Sequence, residues 1–95
     1  MSLRKIVNLH ASWCAPCKAF EPTFNSVATG NEFKNITFER FDIEDDEKGV
    51  EFVEKFNVRS VPTTLLLDEN DNQIMKISGN IQEEEFVRVI RNNLN

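Results

Sequence analysis

The chain of 95 residues predicts a single α/β domain over residues 1–95, with elements in the order β-α-β-α-β-β-α. Three observations carry that reading. Apolar residues alternate or run together in some stretches and recur every three to four residues in others, so the period switches between strand and helix along the chain. No linker, low-complexity tract or internal repeat interrupts the pattern. The polar connection at residues 68–72 is too short for a crossover helix, which makes the last two strands an antiparallel hairpin.

Each element has its own justification. Residues 5–10 are a short β-branched and apolar run, read as a buried strand. Residues 15–28 follow at helical spacing, with Phe20, Phe24, Val27 and Ala28 on one face and Thr29-Gly30-Asn31 as the stop. Pro22 lies inside this helix and predicts a kink. Residues 36–43 form the second strand, where Ile36 and Phe38 alternate with Thr37 and Glu39. Residues 47–56 form the second helix, with Val50, Val53 and Phe56 expected on its inner face. Residues 63–67 are nearly all apolar, as expected of a strand buried on both faces. Residues 73–78 are the strand that returns. Residues 82–94 close the chain as a helix with Phe86, Val87, Ile90 and Leu94 facing inward. Glu83, Glu84 and Glu85 open it and Arg88 and Arg91 come later, as the helix dipole prefers. A βαβ unit is thus followed by a ββα unit around one sheet.

Composition removes several classes of function. A net charge of −5 lacks the basic footprint that nucleic acid or an anionic membrane surface requires. No apolar run approaches the ~18 residues of a membrane span. The N-terminal residues lead straight into the first strand, with no secretory leader, which favours the cytoplasm. Asn35-Ile36-Thr37 matches a glycosylation sequon and matters only in an exported protein. The acidic runs at residues 42–47 and 68–72 lack the ligand spacing of a calcium loop. They read as a solvated helix start and a hairpin turn, and no metal site is expected.

The two cysteines, Cys14 and Cys17, are the most specific feature. A disulfide-stapled scaffold would spread more cysteines along the chain, and a four-thiolate zinc site needs four. A redox pair or half of a shared metal site remains. Trp13-Cys14-Ala15-Pro16-Cys17 lies where the first strand gives way to the first helix. Unpaired N–H groups and partial positive charge at a helix start favour thiolate over thiol. One helical turn brings Cys17 back to Cys14, close enough for a disulfide. Pro16 in the first turn loses no needed hydrogen bond and presets φ. There is no second cysteine pair, and the only histidine, His10, lies in the preceding strand, so the redox reading is preferred.

Trp-Cys-Ala-Pro-Cys-Lys, Pro22, Val58-Arg59-Ser60-Val61-Pro62-Thr63 and Gly79 together resemble the thioredoxin family, from about Lys5 to Leu94. The resemblance implies a thioredoxin fold lacking the usual N-terminal strand and helix. Its four-stranded mixed sheet would be flanked by helices and have the order 2-1-3-4, with strands 1 and 2 parallel. It implies a thiol–disulfide oxidoreductase that reduces protein disulfides, with Cys14 as exposed nucleophile and Cys17 as buried resolving thiol. Val61-Pro62 would be a cis peptide facing them. Trp13, Ala15, Pro16, Val61, Pro62 and Gly79 would line the docking surface for an extended client segment. The implied partners are a disulfide-containing client protein and a thioredoxin reductase or similar electron donor. A monomer without a cofactor is expected. The alternatives are an oxidant or isomerase of the same fold and a non-catalytic thioredoxin-like binding module.

The chain departs from the family pattern at four places. Ala15 replaces a common glycine, for a modest change in potential. Asn8 stands six residues before Cys14, where a buried aspartate usually helps deprotonate the resolving thiol. An amide cannot be that base, and it costs less to bury, so a more stable fold and a slower resolving step are expected. His10 shares the strand face of Asn8, where the family often has tryptophan. It reads as a packed residue, with a share in proton transfer as the alternative. Arg40 replaces a common lysine and is expected to reach Asp42, Glu39 or water.

Overall fold

A computed structural model describes residues 2–94 of the chain. Seven elements follow one another: β1 (Leu3–His10), α1 (Ala15–Thr29), β2 (Thr37–Asp42), α2 (Glu47–Lys55), β3 (Thr63–Asp68), β4 (Gln73–Ser78) and α3 (Glu83–Asn92). The strands form one sheet in the order β2-β1-β3-β4. β1 is parallel to β2, and both β1–β3 and β3–β4 are antiparallel. The topology is the one the resemblance implied. β1 starts earlier than its apolar run suggested, because buried Leu3 pairs with Asp68 at the far end of β3.

The pleat of the central strands sorts their side chains onto two faces. Ile6 and Leu66 pack with Phe20, Phe24, Phe86 and Ile90 under α1 and α3. Val7, Leu9, Leu65 and Leu67 pack on the other face with Phe41, Phe52, Val53 and Phe56 against α2. Aromatic edges fill the first layer: Phe20 meets Phe86 at 5.3 Å and Phe24 meets Phe38 at 5.6 Å between ring centres. Phe41, Phe52 and Phe56 stack successively in the second. α1 runs continuously through Pro22, with Phe20 and Phe24 buried on either side of it. β3 is buried along its whole length, as its apolar run predicted.

Two expected core positions lie elsewhere. Val50 is 42 % exposed, and Leu94 is exposed beyond the end of α3. The inner face of α2 is instead Gly49, Phe52, Val53 and Phe56, which is the spacing of one helical stripe. Gly49 sets that rotation. A Cβ there would lie 2.0 Å from the Asp42 carbonyl oxygen, so α2 approaches the end of β2 through a glycine and turns Val50 outward. At the C-terminus, the helix ends at Asn92, and the Asn93 side chain donates to the Val89 carbonyl. Val89 is partly buried against the α1–α3 layer instead.

Candidate active site

β1 ends at His10, and Ala11 takes the chain over the sheet edge into α1. The Ala11 carbonyl accepts from the Cys14 N–H at 3.2 Å, which turns Cys14 into the N-cap position of α1. The cap acceptor here is sulfur: the Cys17 N–H donates to Cys14 Sγ at 3.1 Å. Pro16 occupies the first turn, where its missing N–H has no intrahelical partner to lose. Cys14 and Cys17 form a disulfide with their Cα atoms 5.3 Å apart. Both cysteines are nearly covered, Cys14 at 4 % exposure and Cys17 at 1 %. Cys14 is thus far less open than the resemblance implied, because Val61, Ala11 and Ile43 pack around the pair.

The loop before β3 supplies the opposing wall. The Val61-Pro62 peptide is cis, and the Val61 carbonyl oxygen lies 3.6 Å from Cys14 Sγ. Among the described residues, the Val61 N–H has no hydrogen-bond partner. The Pro62 carbonyl accepts from the Gly79 N–H at 2.8 Å, which ties the start of β3 to the end of β4. Gly79 has φ +90°, a conformation that favours glycine. Ala15 and Pro16 are exposed at the start of α1, and Trp13 is 65 % exposed beside them. Every residue expected on the docking surface is therefore at this one end of the sheet. An open depression of 490 Å³ lined by Glu32, Glu83, Val87 and Arg91 lies instead between α3 and the loop after α1.

The structure adds contacts that sequence reasoning missed. The Trp13 indole N–H donates to Glu44 Oε1 at 3.0 Å, so the loop after β2 holds the tryptophan. At the end of β2, Asp42 accepts from the Asp45 and Glu44 N–H groups of that loop, and these bonds hold its carboxyl below the usual carboxylate range. An acidic run gives no hint of which member reaches an indole; only the crossing of β2 beside β1 decides it.

On β1, two residues before the strand's end, Asn8 is fully buried. Its Nδ2 donates to Thr64 Oγ1 and its Oδ1 accepts from Arg40 Nε, each at 3.1 Å. Arg40 also pairs with Glu21 on α1, Nη1 to Oε2 at 3.4 Å. The expectation that Arg40 reaches Asp42, Glu39 or water is thereby corrected. Asn8 and Arg40 are register partners on parallel strands, and Arg40 points to the α1 side of the sheet. His10 is half-buried nearby. Burial and then Arg40 lower its pKa, against the opposing pull of Asp42, Asp46 and Glu21.

A mixed sheet carrying a cysteine pair at the start of its long helix, with a cis-proline turn against the sulfur, is the architecture of the thioredoxin fold. The chain belongs to the thioredoxin family, whose family model, Thioredoxin, matches residues 2–92. It is 34 % identical over 81 residues to Thioredoxin C-3 of Corynebacterium nephridii, covering 85 % of this chain and 52 % of that protein. Thioredoxin Asp f 29 of Aspergillus fumigatus is 43 % identical over 58 residues, covering 61 % of this chain and 50 % of the relative. This chain thus spans about half the length of those curated relatives. Among solved structures, thioredoxin NaTrxh of Nicotiana alata superposes with a TM-score of 0.80 at 23 % identity, covering 100 % of this chain and 76 % of that one. The Malassezia sympodialis thioredoxin Mala s 13 also gives 0.80, at 19 % identity, over 96 % of this chain and 75 % of the other.

Proposed function

We propose that this chain is a thiol–disulfide oxidoreductase that reduces protein disulfides. The observation that supports it most is the Cys17 N–H aimed at Cys14 Sγ from the first turn of α1. That donor and the helix dipole both favour a thiolate on Cys14 in the reduced protein.

The thiolate of Cys14 attacks one sulfur of a client disulfide. A Cys14–client S–S bond forms, and the second client sulfur leaves with the electron pair of the broken bond. Cys17 then loses its proton and attacks Cys14 Sγ. The Cys14–Cys17 disulfide forms, the client leaves as a thiolate and takes up a proton, and the client has gained two electrons. A thioredoxin reductase or similar donor returns the pair to the dithiol. The client segment lies extended across Trp13, Ala15, Pro16, Pro62 and Gly79. The Val61 N–H, without a partner among the described residues, gives it a strand-like hydrogen bond beside the reacting sulfurs.

We further propose a monomer that works in the cytoplasm without a bound cofactor. No helix among the described residues is long and apolar enough to cross a membrane. Pro16 before the second cysteine supports the reducing direction over an oxidant or isomerase.

The test is a trap. Cys17→Ala, reduced and mixed with a disulfide protein such as insulin, is expected to hold one chain as a mixed disulfide at Cys14 that dithiothreitol releases. A redox titration of the unaltered pair is expected near −270 mV. No trapped adduct would overturn the exchange mechanism, and a potential of about −120 to −180 mV would reverse the direction.

A further inference from the structure

An extended client segment meets one backbone donor of this chain, the N–H of Val61. Val61 packs against Cys14 and Cys17, and its carbonyl oxygen lies 3.6 Å from Cys14 Sγ, so that N–H stands close to the reacting sulfurs. It belongs to the loop at residues 56–62, between α2 and β3, where no regular element aims it. Among the described residues, the N–H groups of Arg59, Ser60 and Val61 have no hydrogen-bond partner. The loop is oriented instead by the packing of Val58 against the α2 face of the sheet and by the groups that hold its carbonyls.

One of those groups acts on the same peptide unit that carries the Val61 N–H. The Thr63 hydroxyl, at the buried start of β3, donates to the Ser60 carbonyl at 2.7 Å. The Ser60–Val61 bond is trans, so its planar unit points C=O and N–H in opposite directions. Holding the Ser60 carbonyl toward Thr63 turns the Val61 N–H away from β3, and Ser60 itself is exposed. The second anchor comes from β4. Lys76 Nζ donates to the Phe56 carbonyl at 2.8 Å and to the Asn57 carbonyl at 3.4 Å, where α2 ends. An ammonium there also suits the negative end of the helix. Asn57 has φ +53°, so the chain leaves α2 through a left-handed residue whose carbonyl Lys76 ties down. Gly79, just past β4, holds the Pro62 carbonyl through its N–H. The β4 segment thus grips both ends of the loop.

We propose that Thr63 and Lys76 are positioning residues for client docking: Thr63 aims the Val61 N–H outward, and Lys76 fixes where its loop begins. The strand-like bond to the client is then built before the client arrives. A preset donor spares the complex the entropy of ordering this loop on binding. Only a client with a backbone carbonyl near its disulfide can accept that bond. The site therefore favours disulfides in extended peptide segments over small organic disulfides. This rests on the reading of Cys14 and Cys17 as an exchanging dithiol.

The test compares second-order rates of the reduced protein with insulin and with hydroxyethyl disulfide, which has no backbone to meet the Val61 N–H. Thr63→Val removes the hydroxyl at nearly constant shape. It is expected to slow the reaction with insulin about three- to tenfold, the range of one hydrogen bond. Lys76→Met is expected to slow it about two- to threefold. With hydroxyethyl disulfide both variants are expected within about twofold of the parent, since the reacting thiols are unaltered. Thr63→Ser keeps the donor and is expected to restore the insulin rate. Lys76 is half-buried on β4, so the comparison survives a loss of stability in Thr63→Val. Equal slowing with both disulfides, an unchanged insulin rate in the two variants, or Thr63→Ser as slow as Thr63→Val would overturn the proposal. An unaltered protein that reacts with neither disulfide would sink the exchange reading and this docking role with it; a failure confined to the variants falls on the docking role alone.

Discussion

The two ends of the β1–β3 pair use the same local device to different effect. At the hairpin end, buried Asp68 accepts the N–H groups of Asn70 and Asn72 through Oδ1, at 2.8 and 2.9 Å. Its own N–H donates to the Asn72 carbonyl, and Asp71, at φ +61°, completes the turn. Those bonds hold the Asp68 carboxyl below the usual carboxylate range, Asn72 contributing most. At the other end, Cys14 Sγ accepts the Cys17 N–H, yet among the described residues the neighbouring Val61 N–H is unpaired, and Trp13 is largely exposed. A side-chain acceptor captures a backbone N–H in both places. At the hairpin the surroundings complete the hydrogen bonding and the result is a closed turn. At the disulfide they leave groups open, and the same donor becomes a means of favouring a charged sulfur.

The sharpest way to break this contrast is to remove the acceptor at each end. Cys14→Ser is expected to reduce insulin-disulfide turnover to the uncatalysed background, while the melting temperature of the reduced protein stays close to that of the reduced parent. Asp68→Ala is expected to do the reverse, lowering the melting temperature on the order of 5 °C with turnover unchanged. It also changes the acid limb of the stability curve. A folded carboxyl with a lowered pKa adds stability above its unfolded value of ~3.9, and that contribution is lost as pH falls through the folded value. Asp68→Ala should therefore flatten the loss of stability below about pH 4, as measured by denaturation at a series of pH values.

A smaller effect belongs to the buried amide of β1. Asn8→Asp puts a carboxyl between Thr64 and Arg40, where the amide now bridges them. Denaturant titration is expected to show a loss of roughly 1–2 kcal/mol, since burying an ion is only partly offset by its partner. Rapid mixing is expected to show a faster resolving step at neutral pH, because a carboxylate can accept a proton where the amide cannot. The smallest effect belongs to Gly79, where a Cβ would meet nothing within 4 Å but φ is +90°. Gly79→Ala should cost about 1 kcal/mol of backbone strain. Its methyl group projects into the space proposed for the client, so kcat/KM should fall a few-fold.

Much of the fold is legible in the chain because its clearest signals are local. The apolar run of β3, the short polar turn after it and the Phe20–Phe24 stripe of α1 each depend on neighbours in sequence. The cysteine pair is legible for the same reason: a spacing of three and a helix start are local facts. The errors fall where packing across the sheet decides. Val50 has the right apolarity and spacing for an inner face, but the contact of Gly49 with the Asp42 carbonyl rotates α2 and exposes it. Arg40 gives no sign in sequence that a helix residue 19 positions earlier, Glu21, completes its pairing. Glu44 is equally silent about Trp13.

The sequence by itself determined the element order, the α/β class and the cysteine pair at a helix start, and its motifs carried the resemblance to the family. Those follow from periodicity, turn chemistry and motif spacing, which the chain carries in one dimension. Only the tertiary structure decided how open Cys14 is, what holds Trp13, and that Asn8 brackets Arg40 against Glu21. Those depend on strands and helices that meet from distant parts of the chain. The burial and field at a side chain are properties of everything packed around it.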